Sequence, residues 1–364
     1  MSRASRDAAG GKVVNLALQG GGSHGAYTWG ALDALIEDER IEIGAISGAS
    51  AGAVNAVVLA AGLAEGGWDG AREKLKSLWR SVSSEGPVAP AQLKLVEAWI
   101  DPLRFAWLGE RLVSGLADAL SRTVSPYEAN PLNLNPLRGV LSGLVDFEKL
   151  RAGDTPKLFV AATNVRTGRG EVFRRDVLTV DHVVASACVP QVFQAVQIGD
   201  KAYWDGGFTG NPPLWPLFYE TQCRDVIIVQ INPIEREDIP RTPEGIANRA
   251  NEITLNASLI GELGVADFAA RLVRAGLLKS KTYKLPQFHR IGGAGALERY
   301  NSLTKFDVSW AYLQELRDLG RADAKAWLEA NYDSIGVEGT LDIDRALRRS
   351  QPKAPTEGAA EAKP

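Results

Sequence analysis

The sequence has few of the features that mark several common classes of protein. Only two of its 364 residues are cysteines, Cys188 and Cys223, so free thiols are expected rather than a disulfide scaffold or a cysteine-based metal site. The net charge is -3, which gives no basic surface for nucleic acid and no strong attraction to an acidic membrane. With 45% hydrophobic and 23% charged residues, the chain predicts an ordinary globular protein with a substantial core.

Long apolar stretches are also missing. No run of eighteen or more apolar residues occurs, and the first residues, MSRASRDAAGG, lack the apolar segment of a signal peptide. We therefore expect a cytoplasmic protein without a membrane-spanning helix. Residues 1–11 are predicted to form a flexible arm, residues 351–364 a disordered tail, and residues 12–350 the folded domain.

Short apolar runs alternate with helical stretches along the chain. The runs typical of buried strands lie at 13–19, 43–47, 158–163 and 226–231, and the helical stretches at 24–37, 51–63, 181–187, 244–276 and 309–331. The connections are long enough for crossover helices. The pattern therefore predicts an α/β fold with a mainly parallel central sheet that helices cover on both faces.

Residues 67–142 interrupt this alternation, because they contain no convincing strand. Their tryptophan and leucine residues predict a helical insertion, and the proline- and asparagine-rich run at 125–137 predicts its irregular exit. Such an insertion can shape a substrate pocket. For any one of its aromatic residues, packing in the core is the simpler interpretation.

Gly48-Ala49-Ser50-Ala51-Gly52 fits the G-x-S-x-G pattern and lies between a strand run and a helix run. In a sharp strand-to-helix turn, flanking glycines let the chain pack closely while the serine hydroxyl projects outward. The N–H groups of the following helix favour negative charge near that oxygen. A serine that only caps the helix would fit the pentapeptide alone. Its position between strand and helix favours Ser50 as a nucleophile.

A second glycine-rich turn, Gly20-Gly21-Gly22-Ser23-His24-Gly25, closes the first strand. Its bare N–H groups suit an oxyanion, and its spacing also fits the dinucleotide pattern G-x-G-x-x-G. The dinucleotide interpretation needs an acidic residue at the end of the next strand, which ends instead in Ser47-Gly48-Ala49-Ser50. An oxyanion hole at Gly20, Gly21 and Gly22 explains both turns, and we favour it.

A nucleophilic serine needs a base, and the chain has only three histidines. His24 lies within the glycine turn. His182 begins a helical stretch, and nothing beyond its place in the chain marks His289. A structural role is the simpler interpretation for these last two.

Asp205, in the run Tyr203-Trp204-Asp205-Gly206-Gly207, is the better candidate for the base. Tyr203 and Trp204 would shield its carboxyl group from water, and the two glycines would let another loop approach closely. Desolvation raises the pKa of a carboxyl group above about 3.9 and makes it a better proton acceptor.

These motifs, in this order, resemble the patatin-like phospholipase family from about Asn15 to Asn211. The turn at 20–25 resembles the family's oxyanion hole, and residues 48–52 resemble its nucleophile elbow. The run at 185–190 and Phe193 resemble the segment before the catalytic aspartate, and Asp205-Gly206 resembles the aspartate–glycine pair.

The resemblance implies a three-layer α/β sandwich in which Ser50 and Asp205 form a catalytic dyad without histidine. With such a dyad, we expect that neither a metal nor an organic cofactor is needed. The resemblance gives supporting roles to five residues: Gly25, Gly48, Gly52, Gly206 and His24. The chain departs from the family at two positions, because the family often has arginine or lysine in place of His24 and aspartate or serine in place of Gln19.

We therefore predict a serine acyl hydrolase that cleaves carboxylic esters of lipids through an acyl-enzyme, as a phospholipase A does. The expected partner is a lipid or acyl-ester substrate, and the protein could contact a membrane surface peripherally. No binding to nucleic acid is expected. Two alternatives stay open. The same dyad could hydrolyse thioesters or short-chain or storage polyesters, or the fold could bind a lipid without catalysis, although the intact Ser50 and Asp205 favour an enzyme.

Overall fold

The computed structural model describes residues 11–86, 125–279, 284–292, 297–300 and 303–347. The predicted tail lies outside these residues, as do nearly all of the predicted arm and the central part of the predicted insertion. What the sequence indicates for those segments stays a prediction.

Within the described residues the chain forms eight strands and ten α-helices. The strands are β1 (Lys12–Leu18), β2 (Ile41–Ala49), β3 (Lys157–Asn164), β4 (Gly170–Arg174), β5 (Val196–Ile198), β6 (Lys201–Asp205), β7 (Asp225–Gln230) and β8 (Gln287–Gly292). The helices are α1 (Gly25–Glu37), α2 (Ala51–Val82), α3 (Pro126–Ala129), α4 (Pro136–Leu144), α5 (Phe147–Ala152), α6 (Val180–Ser186), α7 (Trp215–Tyr219), α8 (Pro243–Arg274), α9 (Trp310–Asn331) and α10 (Ile343–Ala346). Short 3₁₀ turns at Gly22–His24, Gly206–Phe208 and Leu303–Phe306 lie near the candidate site.

All eight strands belong to one sheet, in the order β5-β6-β3-β2-β1-β7-β8, with β4 also paired to β3. The strands β3, β2, β1, β7 and β8 are parallel to one another. The short strands β4, β5 and β6 add an antiparallel edge beside β3. This arrangement confirms the predicted α/β fold with a mainly parallel sheet.

Helices cover both faces of the sheet, because side chains alternate along each strand. Leu16 and Leu18 of β1 join the larger hydrophobic core, which includes residues of α1, α2, α6 and α9. Ala17, between them, joins a second core with Leu259 and Leu263 of α8. Strands buried on both faces are apolar throughout, which is why β1 and β7 could be recognised in the sequence.

The helix α2 is longer than the predicted helix at 51–63. The prediction covers only its first half, and a second half continues to Val82 after the chain turns back on itself. Gly66 and Gly67 have non-helical backbone angles and divide α2 into two halves. Gly62 allows the halves to cross closely, since a Cβ on it would overlap the backbone of Ala71. Trp79, in the second half, is buried and belongs to the larger core.

The helix α8 has two different sides. Its residues Asn256, Leu259 and Leu263 are buried against the sheet, whereas Val265 and Phe268 are exposed. Among the described helices, Gly245–Arg274 is the one long and apolar enough to cross a membrane by length and composition, and a third of its most apolar stretch is buried inside the protein. The sequence did not predict such a helix, because charged residues interrupt its apolar ones.

Candidate active site

The carboxyl ends of three parallel strands bring the candidate site residues to one edge of the sheet. The glycine turn follows β1, Ser50 follows β2, and Asn232 comes shortly after β7. Asp205 ends β6, which pairs with the last residues of β3. Segments far apart in the sequence therefore meet at this edge.

Ser50 occupies a tight turn between β2 and α2. Its φ of 53° and ψ of -129° lie in a region that residues other than glycine rarely adopt. The N–H of Ser50 donates to the carbonyl oxygen of Ser186 (3.2 Å) and to the Ser186 hydroxyl (3.0 Å). These bonds to the end of α6 stabilise a strained backbone that projects the Ser50 side chain from the turn.

Glycines surround this turn because there is no room for a Cβ. A Cβ on Gly20 would lie 2.5 Å from the Cβ of Ser50, so the glycine turn touches the serine directly. A Cβ on Gly52 would overlap the carbonyl oxygen of Leu18, and one on Gly48 would lie 2.7 Å from the backbone of α2. The predicted supporting glycines thus allow two strand-to-helix turns to touch.

Asp205 is buried, with 6% of its surface exposed. The Ser50 side chain lies beside the Asp205 carboxyl group, and the N–H of Gly207 donates a hydrogen bond to Oδ1 (2.7 Å). Gly206 is needed for this position, since a Cβ on it would overlap the carbonyl oxygen of Ala161. Burial raises the pKa of Asp205 to about 6, although the nearby Ser50 side chain and the N–H of Gly207 both lower it.

The glycine turn presents backbone N–H groups beside Ser50. The N–H of Gly20 donates to Oδ1 of Asn211 (2.6 Å) and is therefore already used. Within the described part of the chain, the N–H groups of Gly21 and Gly22 donate no hydrogen bond. Gly22 has a φ of +59°, which favours glycine, and a Cβ on it would overlap the carbonyl oxygen of Lys305.

A buried network of amide side chains holds the glycine turn in place, with Gln19 at its centre. The Oε1 of Gln19 accepts from the N–H groups of Ile231 (3.0 Å) and Asn232 (2.9 Å). Its Nε2 donates to the carbonyl oxygen of Asn211 (3.2 Å) and to Oδ1 of Asn256 (2.9 Å). Gln19 therefore connects the turn to three other segments of the chain.

Two of these amides hold Gly20 from both sides. Asn211 accepts from its N–H, and Nδ2 of Asn232 donates to its carbonyl oxygen (2.8 Å). Sequence reasoning missed Asn211, Asn232 and Asn256 as site residues. The position of Asn232, shortly after an apolar strand, is the one local signal that pointed to it.

His24 is buried within the glycine turn and cannot act as a cation there. Its Nε2 lies 2.8 Å from the hydroxyl of Thr304. Burial, and then the charge of Lys305, lowers the pKa of His24 to about 3. The imidazole is therefore neutral at any pH near 7. Gly25, the next residue, leaves no room for a Cβ beside Ala51 (2.7 Å).

The other two histidines have partners of their own. Nδ1 of His182 bonds with Thr179 and helps to cap α6. His289 is fully buried, with its ring nitrogens 3.0 Å from the hydroxyl of Thr340 and 3.0 Å from Oδ1 of Asp225. Asp225 begins β7, at the opposite edge of the sheet from Ser50. Both histidines therefore have structural partners, and within the described residues neither forms a hydrogen bond with Ser50.

Comparison with known proteins gives one family. Residues 16–218, more than half of the 364 residues, match the family model described as patatin-like phospholipase. No curated protein matches the chain significantly. The crystal structure of VipD from Legionella pneumophila aligns with 87% of this chain and 67% of its own, at 16% identity and a TM-score of 0.38. A similarity of that size does not bear on activity or substrate.

Replacing Gln19 by glutamate should destabilise the protein. Gln19→Glu keeps the acceptor oxygen but loses both Nε2 donors and buries a carboxylate, so the free energy of unfolding should fall by about 2–4 kcal/mol near neutral pH. Burial raises the folded-state pKa of a carboxyl group above its unfolded value of about 4.3, so the loss should shrink as the pH falls toward that value.

Urea denaturation at about pH 8 and about pH 5 measures both effects. Gln197→Glu, at an exposed position on β5, is the matched control and should change little. Equal stability of the Gln19 variant and the wild type at both pH values would show that the amide network does not hold the turn.

Proposed function

The chain belongs to the patatin-like phospholipase family, a family of lipid acyl hydrolases, and we propose that it is a serine esterase that cleaves carboxylic esters of lipids. The observation that carries this proposal is the position of the Ser50 side chain beside the buried carboxyl group of Asp205, close enough to lower the pKa of that group. A hydroxyl nucleophile, a base with a raised pKa and free backbone N–H donors are what acyl transfer requires.

In the proposed first step, the Asp205 carboxylate takes the proton of Ser50 as its Oγ attacks the ester carbonyl carbon. The carbonyl oxygen becomes an oxyanion, which accepts hydrogen bonds from the N–H groups of Gly21 and Gly22. Gly20, whose N–H already binds Asn211, keeps the turn against the serine. The bond to the leaving alcohol then breaks, and Asp205 returns the proton to that alcohol.

The second half of the reaction releases the acyl-enzyme. Asp205 takes a proton from a water molecule, whose oxygen attacks the acyl carbon, and the same N–H groups hold the new oxyanion. The bond from the acyl carbon to Ser50 breaks, the serine regains its proton, and a fatty acid leaves. The raised pKa of Asp205 suits both halves, because the carboxylate is ionised at neutral pH yet basic enough to accept a proton.

Replacing Ser50 by alanine should abolish hydrolysis of a p-nitrophenyl ester, because no other group supplies the nucleophile. The thermal midpoint should change little, since Ser50 is a turn residue with a short side chain. The control is Ser142→Ala, at an exposed position on α4, which should keep full activity. A fluorophosphonate probe should label the wild type but not the Ser50 variant, and labelling of both would assign the nucleophile to another residue.

The pH profile should have an acid limb set by Asp205. The pKa of this carboxyl group is raised to about 6, so above that pH it is ionised and can accept the proton. Below it the neutral acid cannot, and kcat/KM for a neutral ester should fall about tenfold per pH unit. A stopped assay across the acid range measures this, and a profile that stays flat down to about pH 4 would exclude Asp205 as the base.

We also propose that the protein contacts a lipid surface peripherally through α8. Its residues Ile253, Val265 and Phe268 are 55%, 71% and 61% exposed. The acidic residues between them do not interrupt this face: Glu262 accepts hydrogen bonds from backbone N–H groups at the start of α7, and Asp267 is buried. With a net charge of -3, attraction to the surface comes from apolar area.

This face of α8 adjoins the candidate site. The side chain of Leu255 packs against Gly207, two residues from Asp205. Phe208 and Trp215, which are 45% and 39% exposed, extend the apolar area beside the helix. A lipid held on this face would therefore lie close to the serine turn.

Placing glutamine at both Val265 and Phe268 should weaken binding to phosphatidylcholine vesicles. Each side chain that enters the lipid contributes about 1.5–3 kcal/mol, so vesicle affinity should fall at least about tenfold. Activity on a soluble ester should not change. Vesicle sedimentation measures binding, and Val337→Gln, at an exposed position near the other edge of the sheet, is the control. Equal loss of activity on both substrates would contradict a surface role.

A further inference from the structure

Among the residues that the structure describes, the ammonium group of Lys305 donates its hydrogen bonds to neutral groups. Its Nζ donates to Oδ1 of Asn232 (2.8 Å) and to Oδ1 of Asn251 (2.9 Å). Among the described residues, Lys305 forms no ion pair. The acidic residue that influences it, Glu252, is already paired with two arginines, Arg236 and Arg249.

This ammonium is also desolvated. Burial lowers the pKa of Lys305 to about 8, while the charge of Glu252 raises it and that of Arg236 lowers it further. The group is therefore still mainly protonated at neutral pH. Lys305 is partly buried, and a charge that is partly removed from water gains from an opposite charge nearby. Two amide oxygens compensate it only in part, so an anion close by would be strongly favoured.

Lys305 lies directly against the glycine turn. Its carbonyl oxygen fills the space where a Cβ on Gly22 would be. Asn232, which binds the ammonium group, also donates to the carbonyl oxygen of Gly20, and its Oδ1 is 3.5 Å from where a Cβ on Gly21 would lie. A single amide side chain thus separates the positive charge from the segment whose N–H groups are free.

We propose that Lys305 is a positioning residue that stabilises, through Asn232 and the glycine turn, the oxyanion formed when Ser50 attacks an acyl substrate. The inference rests on the proposed function, because it needs an acyl-transfer step. The anion exists in the tetrahedral state and not in the resting protein. The ammonium charge of Lys305 therefore gains a negative partner in the tetrahedral state, where the added stabilisation accelerates the reaction. His24, which is neutral, does not supply this charge.

The phosphate of a lipid head group is another anion that an ammonium group could bind. The contacts favour the oxyanion, because Asn232 and Gly22 connect Lys305 to the turn itself. The two anions predict different kinetics. Stabilising an oxyanion raises kcat for every ester, whereas binding a phosphate lowers KM for phospholipids alone.

The test replaces Lys305 by methionine, which keeps the length of the side chain and removes its charge. For a neutral p-nitrophenyl ester, kcat should fall about 10- to 50-fold with KM unchanged, as expected for one charge several ångströms away at an intermediate effective dielectric constant. Inhibition by a trifluoromethyl ketone, which forms a charged hemiketal with the serine, should weaken by a similar factor. Lys305→Arg, which keeps the positive charge, should retain most of the kcat and most of the affinity for the ketone.

A second variant keeps the lysine and covers the case in which Lys305→Met does not fold. Asn251→Asp replaces an amide that contacts the ammonium group with a carboxylate, which compensates the charge of Lys305 in the resting state. It should lower kcat and weaken the ketone in the same direction, without changing KM. Lys76→Met, at an exposed position on α2, is the matched control and should behave as the wild type does.

Three results would overturn the inference. The first is an unchanged kcat in both variants, and the second is a loss of kcat that the ketone does not follow. The third is a rise in KM confined to phospholipid vesicles with normal turnover of the neutral ester, which would assign Lys305 to a head group. A wild type without any esterase activity would instead overturn the proposed function, and this inference with it.

Discussion

The candidate site depends on two strand-to-helix turns that touch through backbone rather than through side chains. Gly20 lies against Ser50, and Gly52 lies against the carbonyl oxygen of Leu18, with no room for a Cβ at either glycine. Backbone contact fixes the separation of the serine from the amide groups far more tightly than flexible side chains could. The strained φ of Ser50 and the buried carboxyl group of Asp205 are useful only because this contact is fixed.

A neutral network is well suited to hold such a turn. A carboxylate in the place of Gln19 would add negative charge directly behind a segment that is to hold an anion, whereas an amide donates and accepts with no net charge. Its partners Asn232 and Asn256, and Lys305 beyond them, come from the part of the chain after residue 218, where the family match ends. The matched segment contains the proposed nucleophile and proton acceptor together with Gln19 and Asn211, but the amides that complete the support of the glycine turn lie beyond it.

Much of the fold could be predicted from the sequence, because strands buried on both faces are apolar throughout. The predicted runs at 13–19 and 226–231 agree with β1 and β7 to within one residue. The strands β4, β5 and β6 were not predicted, because they are short and partly exposed. Nor was β8, since its polar residue His289 is buried through contacts with Thr340 and Asp225, which lie far from it in the sequence. Local motifs pointed to Ser50, but Lys305 reaches the turn by a contact that no local pattern encodes.

The pairing of β6 with β3 has a consequence for how the protein could lose activity. Asp205 faces the serine because it lies opposite Ala162, in a ladder of only three paired residues. Successive side chains of a strand point to opposite faces, so a slip by one residue would replace the carboxylate with Trp204 or Gly206. Fraying of this edge could therefore separate Ser50 from its proposed proton acceptor while the parallel strands remain folded. Inactivation by heat or denaturant would then precede any loss of overall secondary structure.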